Sequence, residues 1–525
     1  MSAPPPASSS LSERAVLAAL ALWSLVPPAI LFVSVGGGLD VGTGGRTFLG
    51  VDGPDVADQL QYIAWIRDAG ENGTFANRFD LADDPYLFFH PMFFLSGVLW
   101  KLGVSLPLSF LAWKPVAVLG LFAGFAAYVR RMVEPGWPRV AALLLALFFF
   151  TPAAWVLDWG GLGSESLRFE TLVVALEMFP GGWVWGLWPL AVSVALMPVY
   201  LLCLEGLLEP ERRRPGRSTV WYGAGAAAAG LACSWLHPWQ GVTLLVLTAG
   251  LVVWARLWRR AAALTVPLAA TAAPIAYYFA LSQTDSSWAE VSSHSGHPHW
   301  GLWLALGVAP ALALAAVGAP GRTWDLQERA LRLWPLAALA VYFILQTAWF
   351  YHALAGLTLP LAILGVRGWR HLRIPRAAAV AAVAALTLPG MAFYVQQLRE
   401  GSAAHFLPAD ETAALRAVEA GWRDGGVLTS VDLGQAVPAV TGRGTWVGHP
   451  TWTPGYGDRT HRAEALLSGR MDAVQARELV RSTGAAFVVA GCGRPDLEAL
   501  LGPVVAARTR HGCAAVYEVA PRPGR

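Results

Sequence analysis

The stretch DGPDVADQLQYIAWIRDAGENGTFANRFDLADDPYLFFHP, Asp52–Pro91, decides how this chain is read. It carries a cluster of acids, several turn residues and only two arginines, Arg67 and Arg78, whereas nearly everything around it is apolar. Over all 525 residues, 55% are hydrophobic and 14% charged, with a mean hydropathy of +0.47. That balance excludes an ordinary soluble protein. Roughly eleven apolar runs have the length of about 17–25 residues that crosses a hydrocarbon core. An all-α polytopic membrane protein is expected, with the polar island between its first two spans.

The spans are expected at Val16–Val35, Pro107–Val129, Val140–Val156, Trp183–Leu208, Val220–Leu236, Gly241–Leu257, Leu264–Leu281, Gly301–Val317, Leu333–Tyr351, Ala353–Val366 and Ala377–Tyr394. Arginines recur in every second loop: Arg130 and Arg131; Arg212, Arg213, Arg214 and Arg217; Arg256, Arg259 and Arg260; Arg322, Arg329 and Arg332; Arg367, Arg370, Arg373 and Arg376. By the positive-inside rule these loops are cytoplasmic. The N-terminus is then inside, and the Asp52–Pro91 loop and everything after the last span are outside. A bacterial plasma membrane is the simplest home. Val16–Val35 reads as a signal anchor, since its apolar part is long and Pro27-Pro28 suits a kinked span. Trp183, Trp188, Trp258, Trp300 and Trp369, near the ends of apolar runs, are expected as interfacial anchors.

Three parts follow: a disordered cytoplasmic N-terminus at 1–14, a membrane domain at 15–398 with its exterior loop at 36–91, and a small exterior α/β domain at 399–525. In the tail, helical periodicity covers Pro408–Gly421 and Ala473–Ser482, and strands are expected at Val427–Val431, Ala485–Ala490 and Ala514–Val519. Cys203 and Cys233 lie in apolar runs and read as packing residues. Cys492 and Cys513 lie on the oxidising side, where a disulfide and two unpaired thiols are both open readings.

Asp58 and Tyr62, one helical turn apart, fit a short amphipathic helix, with Asp55 on the same side as Asp58. Paired carboxylates raise one another's pKa, so one could act as a general base, or the pair could hold a divalent cation such as Mg or Mn. The alternative is two solvated loop acids. Lys114 lies within the second span and either binds phosphate or snorkels to the headgroups. Arg168, in the 157–182 loop, is an equal phosphate candidate, with Glu165 or Glu170 as a salt-bridge partner in the structural alternative. His237 and His352 offer donors to a phosphate or sugar, or bond the backbone at helix ends. His294, His297 and His299 have a loose metal-ligand spacing in a loop that otherwise reads as solvated. Trp446, Trp452, Tyr456 and Asp458 suit a sugar face or an aromatic packing loop equally.

With Asp58, Tyr62 and the His90-Pro91 pair at the start of the next helix, the first hundred residues resemble the GT-C superfamily of membrane glycosyltransferases, the group of protein mannosyltransferases and the aminoarabinose transferase of lipid A. The resemblance implies transfer of a sugar from a polyprenyl-phosphate donor to a lipid, glycan or protein hydroxyl on the exterior face. It implies inversion, with Asp58 as general base and Asp55 as alternative base or supporting partner, and substrate contacts at Tyr62 and His90. Membrane lipids are expected partners and nucleic acid is not. The family's acidic pair is absent because Gln59 follows Asp58, which leaves metal dependence open. Two other classes stay in view: a lipid or glycan transporter and a non-catalytic membrane scaffold.

Overall fold

The computed structural model describes residues 11–34, 45–293, 301–318, 320, 325–345 and 349–521. His294, His297, His299 and Trp300 lie outside the described residues. The chain divides into two compact units. One comprises the described parts of Met1–Pro27, Trp113–Ala280 and His294–Gln397; the other comprises those of Pro28–Ala112, Leu281–Ser293 and Leu398–Arg525.

Helices lie on each of the expected apolar runs, but the runs differ in length and continuity. Among the described residues, six helices are long and apolar enough to cross a membrane: Ser12–Val33, Leu106–Met132, Trp188–Leu208, Trp258–Thr284, Phe350–His371 and Arg376–Glu400. Trp137–Phe148 and Pro152–Trp159 make a seventh if the pair, bent by 51°, acts as one span. The roughly eleven runs therefore give six or seven such helices, because some stop short. Pro238 ends the Thr219–Leu236 helix and opens the next, and both Pro238–Trp254 and Leu302–Gly318 are apolar but short.

In the first unit, Trp188–Leu208 is buried along nearly its whole length. It meets Trp113–Met132 where Gly124 faces Ala195, so closely that a Cβ there would sit 2.3 Å from the Ala195 carbonyl oxygen. Small residues allow that approach between apolar helices. Trp183 and Trp188 are 2% and 0% exposed, so these two pack inside the protein and are not lipid-interface anchors. Trp188 opens its helix at the N1 position and Trp183 lies in the short turn before it, so a ring at the end of an apolar run is here turned onto neighbouring helices. Several of the loop arginines are paired: Arg131 with Glu205 at 2.6 Å and Asp325 at 2.5 Å, Arg367 with Glu328 at 2.8 Å, and Arg130 with Glu13 at 2.6 Å.

The second unit contains two sheets. In the first, β1 (Arg46–Phe48) pairs antiparallel with β2 (Phe406–Pro408), with Phe48 opposite Phe406. The other sheet holds β3 (Val427–Leu428), β4 (Phe487–Ala490), β5 (Val505–His511) and β6 (Ala514–Val519) in the order β3-β4-β6-β5. Only β3 and β4 run parallel. Leu428, Val488, Tyr517, Leu466 and Leu479 meet in its buried core, and Cys492 and Cys513 form a disulfide.

At the β1–β2 sheet, His405 is fully buried and its Nε2 lies 2.7 Å from the Gly53 carbonyl oxygen. Burial holds its pKa below the usual imidazole value, although the bonds to backbone pull the other way. The unfolded chain then binds the proton more readily, so this part of the stability is present above about pH 6.5 and falls as the pH drops through that value. The loss approaches about 1.4 kcal/mol per pH unit in that window. Melting temperatures between pH 7.5 and 5 check it: His405→Gln, which keeps a donor without titrating, is expected to flatten the slope.

Candidate active site

The polar island folds as the helix Val56–Asn72 followed by a bonded loop that ends at the Pro91–Lys101 helix. Asp55 is the N-cap residue of the first helix, and its carbonyl accepts from the Gln59 backbone and side chain at 3.3 and 3.2 Å. Gln59 in turn accepts from the Asp52 N–H at 2.6 Å, tying the incoming strand segment to the helix. Asp58 stands in the first turn, where the helix dipole favours a carboxylate. The C-terminal end closes on Gly73, whose φ of 79° is left-handed, and Gly73 N–H bonds the Ala69 carbonyl.

The acids of the island then separate by their partners. Asp68 is buried and takes a fork from Arg78, with Nε and Nη2 bonds of 2.8 to 3.1 Å. Burial pushes its carboxyl pKa up against the pull of Arg78. Asp84 accepts from the Asn77 N–H at 2.6 Å and the Ser287 hydroxyl at 2.9 Å, and burial raises its pKa too. Asp80 is paired with Arg459 at 2.6 Å. Asp58 differs: its side chain is 47% exposed while its Oδ1 lies 2.9 Å from Nε2 of His449, which is 3% exposed.

Aromatic rings form the wall behind this helix. Phe93 is stacked between Tyr62, at 5.0 Å, and the buried His90, at 4.3 Å. Trp65 lies against Phe75 and meets Trp452 edge-on at 5.4 Å, and Trp452 meets Trp288 edge-on at 5.2 Å. Trp446 and Trp452 are buried, and the Arg459 and Arg462 guanidinium groups stand 5.5 and 5.6 Å from the Trp446 ring. Trp446 also lines, with Pro454, Asp458, Arg459 and Arg462, a cavity of about 260 Å³. Tyr456 and Asp458 open the following helix, with Asp458 exposed.

The remaining candidates belong to the first unit. Lys114 Nζ donates to the Ser24 carbonyl at 2.5 Å and stands 5.8 Å from the Trp188 ring. Arg168 donates to the Gly163 carbonyl at 3.0 Å, beside the exposed Glu165 in the first turn of the same helix. Glu170 accepts from the Tyr351 hydroxyl. His237 and His352 come together, with ring centres 4.5 Å apart. Glu177 lies 2.8 Å from His352 Nδ1 and accepts from Trp349 Nε1 at 2.8 Å.

Among the described residues, the one group of three His, Cys, Asp or Glu side chains close enough to ligate a metal is Asp410, Cys492 and Cys513, whose sulfurs are bonded to each other. Asp58 and His449 face one another as donor and acceptor, and Asp55 does not complete a ligand set with them. Among the described residues, no third His, Cys, Asp or Glu side chain joins Asp58 and His449 to make an all-protein ligand set. His449 was invisible to spacing rules, as it lies 391 residues from Asp58. The signal that marks it is a His-Pro pair, His449-Pro450, repeating those at His90-Pro91, His237-Pro238 and His297-Pro298.

No family model and no curated protein matches this chain. Among solved structures, it is similar to ArnT from Cupriavidus metallidurans bound to undecaprenyl phosphate, with 14% identity over 96% of this chain and 99% of that one, at a TM-score of 0.49. The apo state of that protein aligns with 15% identity over 97% and 100%, at 0.47. An oligosaccharyltransferase from Archaeoglobus fulgidus in the apo form aligns with 13% identity over 93% and 70%, at 0.45.

Proposed function

We propose that this chain is a membrane glycosyltransferase that moves a sugar from a polyprenyl-phosphate carrier to an acceptor hydroxyl, with inversion, and that Asp58 is its general base. The carrying observation is the division of labour among the acids of the polar island. Asp68, Asp80 and Asp84 are bonded to Arg78, Arg459, Asn77 and Ser287, whereas the Asp58 side chain is 47% exposed and is oriented by His449, whose Nε2 lies 2.9 Å from its Oδ1. The arginine distribution supports an exterior site and a cytoplasmic N-terminus.

The chemistry needs one base. The acceptor O–H gives its proton to Asp58 as its oxygen bonds the anomeric carbon, and the bond from that carbon to the phosphate oxygen breaks on the opposite face. The leaving polyprenyl phosphate is already a weak base, so it departs without the protonation by a second carboxylic acid that a glycosidase requires. Membranes containing the full chain, given a panel of polyprenyl-phosphate sugars, are expected to release polyprenyl phosphate and form a product of opposite anomeric configuration, read by proton NMR coupling. Retained configuration would overturn the single-base mechanism, and an absence of transfer from every donor would overturn the enzyme reading.

A further inference from the structure

His449 sits in the segment between β3 and the Tyr456–Leu467 helix, buried and held on both ring nitrogens. The Thr451 backbone N–H donates to Nδ1 at 3.1 Å, so Nδ1 carries no proton. The neutral ring must then be the Nε2–H tautomer, and Nε2 donates to Asp58 Oδ1 at 2.9 Å. The loop itself is fixed independently. Thr453 N–H donates to the His449 carbonyl at 2.9 Å, Thr445 N–H donates to the Arg78 carbonyl at 2.8 Å, and the Phe79 ring lies 5.4 Å from the imidazole.

We infer that His449 is a positioning residue: it anchors the Asp58 carboxylate through Oδ1 and holds it toward the acceptor, and it does not relay the acceptor's proton. The inference rests on the assignment of Asp58 as base. A relay would require protonating Nδ1, which would break the bond from Thr451. An anchor requires only the Nε2–H donor, and the C-terminal segment supplies it to a helix near the other end of the chain. Fixing a catalytic carboxylate in this way removes the cost of orienting it during reaction.

Two variants separate this role from loop support. Asn can imitate Nδ1, keeping the Thr451 contact without a donor to Asp58, whereas Gln can imitate Nε2, keeping that donor without the Thr451 contact. His449→Asn is expected to lower kcat by about 10²-fold with donor KM nearly unchanged, while His449→Gln stays within about 5-fold of wild type. A wild-type rate in His449→Asn, or equal impairment in both, would overturn the role. Nitrogen-15 spectra of the His449 ring test the pairing without activity. An Nε2–H signal that moves in Asp58→Asn supports the anchor, and an Nδ1–H tautomer overturns it. If wild type transfers no sugar, the reaction assignment fails and the spectra alone judge the pairing.

Discussion

Asp58→Asn is expected to lower kcat for sugar transfer by about 10²–10⁴-fold, the range that a general base contributes. The amide has nearly the shape of the carboxylate, and its oxygen can still accept from His449 Nε2–H, so the first turn of Val56–Asn72 is expected to keep its conformation. What disappears is the ability to take the acceptor's proton in the transition state. The donor bears no proton to be removed, so donor KM is expected to change little. Initial rates at matched amounts of protein and saturating donor measure this. A loss below about 10-fold would assign the proton elsewhere.

Arg78→Met is expected to destabilise the second unit by about 3–5 kcal/mol, the cost of stranding a buried carboxylate. The Arg78 side chain contributes the fork to Asp68 and a contact with the Tyr86 hydroxyl, while its backbone carbonyl, which accepts from Thr445 N–H, is kept in the variant. With Arg78 gone, burial drives Asp68 to hold its proton at a higher pH, so the loss is expected to be smaller at pH 5 than at pH 8. Thermal unfolding followed by proteolysis measures it. Asp68→Leu in the same chain removes the stranded charge and is expected to recover much of the loss; a double variant no better than Arg78→Met would show that the Tyr86 contact and the packing of the Arg78 side chain dominate.

Much of the architecture was legible because it depends on local pattern. The tail helices expected at Pro408–Gly421 and Ala473–Ser482 are found at Ala409–Ala420 and Ala473–Thr483, and the strand expected at Ala514–Val519 has those limits. β5 escaped because Val505–His511 is an edge strand with several exposed positions and no apolar alternation. The span count depends on where Pro breaks a run, and a run's composition does not show whether the two halves continue in one line. Likewise, Trp188 at the end of a run reads the same whether its ring meets lipid or a neighbouring helix.

The site divides in the same way. Asp58 and Tyr62 were placed by their spacing on one helix, and the structure keeps them on Val56–Asn72. Which acid is available is a tertiary property. It depends on Arg78, Ser287 and Arg459, which belong to three separate segments of the chain. His449 offers no local pattern beyond the proline that follows it. Its partner is set by the folding of Thr445–Thr453 against Arg78 and Asn77, which no periodicity within that segment encodes.

The most direct measurement compares Asp58→Asn and Asp55→Asn in one membrane preparation, each supplied with the polyprenyl-phosphate sugar that wild type uses, at equal protein amounts. The structure places Asp55 at the helix N-cap, where its backbone carbonyl is bonded to Gln59. Asp58→Asn is expected to lower transfer by about 10²–10⁴-fold, and Asp55→Asn to remain within about 10-fold of wild type. Transfer that survives in Asp58→Asn and vanishes in Asp55→Asn would contradict the assignment of the base.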